Sequence, residues 1–67
     1  MEKFYFIYSK SANQFFSKET NGKCLKLTYY PTDKKLYASF KAAKEELSFF
    51  GMAGFDVFTT ETKKATE

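Results

Sequence analysis

Residues 39–51 are the one stretch of this chain with a clear helical period, and they constrain what the remainder has to become. Phe40, Ala43, Leu47 and Phe50 lie on a single stripe of a 3.6-residue repeat, while Lys41, Lys44, Glu45 and Ser48 occupy the opposite side. Ser39 is placed to accept an orphan backbone N–H at the helix start, and Gly51 to take a left-handed conformation at its end. A longer helix is also written in the pattern, with Asp33 as N-cap and Leu36 joining the stripe; the shorter helix from Ser39 is preferred. A helix of about three turns is marginal by itself and needs an apolar surface to lie on. The flanking segments have to provide that surface.

They read as strands. Lys3-Phe4-Tyr5-Phe6-Ile7-Tyr8 is aromatic and β-branched with no breaker, and it places Phe4, Phe6 and Tyr8 on one face and Tyr5 and Ile7 on the other. The polar residues 9–13 form a turn, and residues 14–18 a short second strand. Asn21-Gly22 is a strong hairpin signal, predicting a type I′ turn into a third strand over residues 23–30. In that strand Leu25, Leu27 and Tyr29 alternate with Cys24, Lys26 and Thr28. After the helix, Met52-Ala53-Gly54 connects to a last strand, residues 55–60, and the charged residues 61–67 read as a disordered tail. The expected fold is therefore α+β: an antiparallel sheet of three to four strands with one helix across one face, in βββαβ order, within a single domain over residues 1–60. Phe6, Leu25, Leu27, Phe40, Leu47 and Phe50 are the expected core.

A chain of 67 residues buries only roughly 60% of the surface its unfolded form exposes. Its 9 Phe and 5 Tyr supply large rings in place of disulfides or metals. One cysteine and no histidine make a structural zinc site and an internal disulfide poor explanations of the fold. No apolar run approaches the roughly 18 residues of a membrane span, and no secretory leader pattern opens the sequence. A soluble protein of the bacterial cytoplasm, with Cys24 reduced and no membrane partner, is the expectation.

The chemistry-bearing residues are sparse. Without histidine the usual general base is missing, and Cys24 has neither a helix N-terminus nor a cationic cluster beside it in sequence. Glu45 and Glu46 diverge on a helix, whereas Asp33, Asp56 and Glu61 are scattered. Three glycines make no phosphate loop. The expectation is a non-enzymatic protein with no cofactor and no metal. The net charge of +3 permits anionic partners, yet every basic residue is a lysine, so the bidentate fork that grips guanine and phosphate is absent.

Binding is what remains. Tyr5, Phe16, Tyr30 and Phe58 are expected on the sheet face away from the helix, more aromatic surface than a solvated monomer usually leaves bare, with Asp56 and Glu61 at the rim. Three partners fit: a host protein, single-stranded nucleic acid stacked on the same rings with Lys3, Lys10, Lys26 and Lys35 along its backbone, or a second copy in a homodimer.

The run Ala53-Gly54-Phe55-Asp56-Val57, following a helix that carries alanine and glutamate, resembles the small inhibitors that T7-type phages make against bacterial RNA polymerase. In that family arginines follow the matching strand; Thr59 and Glu61 stand at those positions here, so polymerase inhibition itself is not carried over. The arginine-free composition and the phrase Tyr37-Ala38-Ser39-Phe40-Lys41-Ala42-Ala43-Lys44-Glu45-Glu46-Leu47 are similar to small phage-encoded proteins that bind one host factor. The resemblance implies a phage inhibitor that occludes a host protein of the transcription or defence machinery.

Overall fold

A computed structural model describes residues 3–61 and 63–65. The helix, α1, spans Phe40–Phe50 and is closed at both ends as its sequence requires. The Ser39 hydroxyl accepts from Ala42 N at 3.1 Å, and Gly51, at φ 61°, donates its N–H to Leu47 O at 3.0 Å. Asp33 caps nothing in this helix; it closes a separate 3-10 turn, Pro31–Asp33.

Four antiparallel strands form one sheet: β1 Tyr5–Ser9, β2 Gln14–Phe16, β3 Leu27–Thr28 and β4 Asp56–Thr59, in spatial order β3-β2-β1-β4. The chain order βββαβ and the α+β class are those the sequence predicts. One face of the sheet packs against α1. There Ile7, Phe16, Tyr37, Ala43, Leu47, Phe55, Val57 and Ala65 make a buried cluster, with Tyr5, Leu25, Leu27, Phe40, Phe50 and Met52 packed around it.

Between β1 and β2 the chain turns through residues 10–13, with Asn13 at φ 56°, a left-handed position that asparagine tolerates. This four-residue loop sets the register Tyr8↔Phe15 and thereby the face of every following side chain in β2. Past that pair the two strands diverge, and the segment 34–37 fills the gap. Tyr5 and Tyr37 exchange backbone hydrogen bonds of 2.9 and 2.7 Å, and Lys35 N donates to Phe16 O at 2.8 Å.

Three expectations need correction. The third strand is two residues long rather than eight, because the Thr20 hydroxyl accepts from Lys26 N at 3.0 Å and donates to Lys26 O at 2.8 Å. Lys26 O still accepts from Ser17 N at 2.8 Å, but Ser17 O is taken by Thr20 N, so Lys26 N bonds a side chain where the partner strand would have accepted it. The Asn21-Gly22 turn is not type I′: neither residue has positive φ, and the central pair is Gly22-Lys23. Asn21 closes it from the first position, its Oδ1 accepting from Lys23 N at 2.8 Å and Cys24 N at 3.1 Å. Finally, residues 63–65 are not a loose tail. They return along the outer edge of β4, with Ala65 N donating to Val57 O at 2.8 Å and the Ala65 side chain buried in the core. Residues 62, 66 and 67 of the expected tail lie outside the described residues.

Candidate functional site

The sheet face opposite α1 carries an aromatic quartet. Register alone assembles it: Phe6 stands across from Phe58 on β4, and Tyr8 across from Phe15 on β2. The four rings touch in a closed circuit, Phe6–Phe15 at 5.8 Å, Phe15–Tyr8 at 4.5 Å, Tyr8–Phe58 at 5.7 Å and Phe58–Phe6 at 5.8 Å between centroids. Tyr8 is fixed further by its hydroxyl, which donates to Asn13 Oδ1 at 2.8 Å, so the same loop residue that sets the register also anchors a ring.

Two lysines lean over this quartet. Lys10 Nζ lies 5.9 Å from the Phe58 centroid, and Lys34 Nζ lies 5.3 Å from that of Phe6 and 6.0 Å from that of Phe15. Each contact is within cation–π range, where an exposed pair is worth ~0.5–1 kcal/mol. Lys34 is held in place by donating to Pro31 O at 3.0 Å, at the start of the 3-10 turn. Between these groups the surface dips twice. One depression of about 240 Å³ is lined by Phe6, Tyr8, Lys10, Phe15 and Phe58, and another of about 200 Å³ by Phe6, Phe15, Pro31, Lys34 and Thr60. Neither lining contains a carboxylate. The nearest in register is Asp56, opposite Tyr8, and its carboxylate faces Lys64 Nζ at 3.6 Å.

The residues expected at a contact surface are divided by this geometry. Phe58 is on the open face, although its ring is largely covered by its neighbours, and Asp56 is exposed beside it. Phe16 is fully buried beneath the helix, its ring edge-on to Phe50 and Phe55, and Tyr5 points the same way, edge-on to Phe40. Phe16 is thus closed to a partner, and half-buried Tyr5 lies on the helix side, apart from the quartet; the reason for Phe16 is parity, since β2 enters the sheet with Phe15 outward, which turns Phe16 inward. Phe6, expected in the core, is indeed buried, but its ring is covered by Phe15 and Phe58 on the sheet face away from α1 and not by the helix. Tyr30 is exposed just before the 3-10 turn, and Glu61, 3.7 Å from Lys63, is exposed after β4; neither belongs to the quartet. Tyr8, Phe15 and Lys34 were not singled out by the sequence as contact residues, and Lys10 only as one of four lysines along a nucleic-acid backbone. The signal that could have found them is the Phe15-Phe16 pair, whose parity follows once a four-residue loop is assumed.

Away from this face, one titratable cluster stands out. Glu46 Oε1 accepts from Lys35 Nζ at 2.8 Å and from the Tyr37 hydroxyl, and Lys35 also donates to Thr20 O at 2.8 Å while lying 5.1 Å from the Tyr37 ring centroid. Burial, and then the Glu46 carboxylate, push the Tyr37 phenol well above its ordinary range. These groups use one another as partners and bind α1 to segment 34–37. A depression of about 330 Å³ along α1 is lined by Phe40, Lys41, Lys44, Glu45 and Ser48, all from that single helix. Among the described residues no group of three or more His, Cys, Asp or Glu could hold a metal, and no helix is long and apolar enough to cross a membrane.

Comparison of the chain with protein-family models, with curated proteins and with solved structures gives no match.

Proposed function

We propose that this protein is a non-enzymatic binding module that works by covering the active surface of another protein, with the open sheet face as its contact surface. The observation that carries this reading is the circuit of Phe6, Tyr8, Phe15 and Phe58 with Lys10 and Lys34 leaning over it. Clustered aromatic rings with a polar rim are the composition of interface hot spots. The partner class, a host protein of the transcription or defence machinery met by a phage-encoded inhibitor, rests on the resemblance of the arginine-free composition and of residues 37–47 to small phage-encoded proteins that bind one host factor.

The test is capture from nuclease-treated bacterial lysate with tagged protein, read by mass spectrometry. One dominant protein should be retained by the wild type and by Lys44→Glu on the helix surface, and lost by Phe15→Ala. A partner that Phe15→Ala still holds, with Lys44→Glu losing it, would move the contact surface to the helix.

Single-stranded nucleic acid is a second reading, favoured by cations beside aromatic rings. The ring packing weighs against it. Phe6 and Phe58 lie nearly parallel, at 17°, so each uses a face on the other, and the lysines occupy further ring surface. Little flat area is left for a base. Under this reading an oligothymidylate binds with an affinity that falls steeply between about 50 and 200 mM salt; under the first, its fluorescence anisotropy stays flat.

A further inference from the structure

The charge arrangement of the open face narrows the chemistry of what it takes, an inference that rests on the binding reading above. Lys10 and Lys34 approach the aromatic quartet over different rings, Lys10 over Phe58 and Lys34 over Phe6 and Phe15. The depression of about 240 Å³ that includes Lys10 is otherwise lined by the four rings alone. It has the size and apolar character to receive one aliphatic side chain. No acidic group lines either depression, and Asp56, the carboxylate nearest in register, already faces Lys64. An acidic side chain arriving here therefore meets two ammonium groups with no competing carboxylate between them and the rings. A basic one meets like charge on both flanks, an arrangement that excludes wrong partners as effectively as it attracts right ones.

We infer that the open face recognises an acidic protein segment in which an apolar anchor residue, seated between the four rings, is flanked by carboxylates that reach Lys10 and Lys34. Nucleic acid would satisfy the lysines but not the apolar depression, since the rings turn faces and edges toward one another.

The experiment is an NMR titration of isotope-labelled protein with four probes of equal length: a peptide with a central Leu flanked by Glu, the same peptide with Gln for Glu, the same with Lys for Glu, and an oligothymidylate. The acidic peptide should shift the amides of β1, β2 and β4 around Tyr8, Phe15 and Phe58. It should bind at least about tenfold more tightly than the Gln peptide, and lose that margin in the Lys10→Glu/Lys34→Glu double variant. The double variant should retain the wild-type thermal midpoint within a few degrees, which separates lost contact from lost fold. Equal binding of the Gln peptide at the same amides overturns the acidic preference and leaves the face as the binding surface. Shifts confined to α1, or no binding by any peptide, overturn both. Preferential binding of the oligothymidylate at these amides replaces both with the nucleic-acid reading.

Discussion

At Tyr37 a phenol is held between a carboxylate and an ammonium group at the joint of helix and sheet, with its hydroxyl donating to Glu46 and its ring beneath Lys35. Burial and the Glu46 charge both raise its pKa above the ordinary 10.0, so the folded protein retains this proton at pH values where the unfolded chain releases it. The stability that the neutral phenol contributes is fully present below about pH 10 and is lost as pH rises beyond it. Urea denaturation between pH 10 and 11.5 should therefore show wild-type stability falling faster than that of Tyr37→Phe, by up to about 1.4 kcal/mol per pH unit. At neutral pH the same variant should be less stable by ~1.5–3 kcal/mol, the cost of a hydrogen bond to a charged group. Equal slopes would show that the phenol is not held neutral. Phe15 and Phe16 make the other comparison at this scale. Phe16→Ala should cost ~3–5 kcal/mol, a large share of the roughly 3–10 kcal/mol expected of a domain this size, whereas half-buried Phe15→Ala should cost only ~1–1.5 kcal/mol. Two similar costs in thermal or urea unfolding would mean that the two faces are not distinguished as described. That distinction was not legible in Phe15-Phe16 itself, since two identical neighbours carry no alternation. The Tyr37–Glu46 contact was hidden for another reason: it joins a residue outside the helix to one within it, and no periodicity links them.

The helix is the element the sequence declared most fully, because its signals are local: a stripe of four apolar residues, a serine before it and a glycine after it. Ser39→Ala removes the acceptor for Ala42 N and should cost ~1 kcal/mol, lowering the thermal midpoint by roughly 4–8 °C, with hydrogen exchange accelerated at the first turn and not at the last. A uniform acceleration across α1 would assign the loss to packing instead of to the cap. The β elements were legible in kind and less so in extent. Of the alternation expected over residues 23–30, Leu25 and Leu27 do pack against the core while Tyr29 is exposed, and the ladder is cut short where Lys26 N bonds the Thr20 hydroxyl. Nothing in the spacing of Thr20 and Lys26 announces a side chain that stands in for a strand. In the same way Asn21-Gly22 correctly marks a turn, while the role of Asn21 as side-chain acceptor shifts the central pair by one residue. Where an element depends on local propensity it could be read from the chain; where it depends on which polar group wins a backbone partner it could not.

For the molecule as a whole, the sheet's two edges are treated differently. The β3 side ends in a strand of two residues, too short to template another chain well. The β4 side is closed by the chain itself: Phe58 is bridged by Lys64, Thr59 N donates to Lys63 O at 3.0 Å, and Ala65 N to Val57 O at 2.8 Å. Covering that edge matters because β4 supplies Phe58 to the open face and Val57 to the core, so a second copy pairing there would extend both surfaces at once. Ala65→Pro removes the donor to Val57 O and obstructs the small buried side chain that locks the return in place. The expected outcome is a protein with its helix intact by circular dichroism that associates as its concentration is raised, measured by light scattering after size exclusion, while the wild type keeps one mass over the same range. Lys63→Ala, which leaves both backbone bonds in place, should behave as the wild type. Association by the wild type equal to that of Ala65→Pro would mean that the return does not protect the edge, and would favour a homodimer built on the aromatic face or the β3 side.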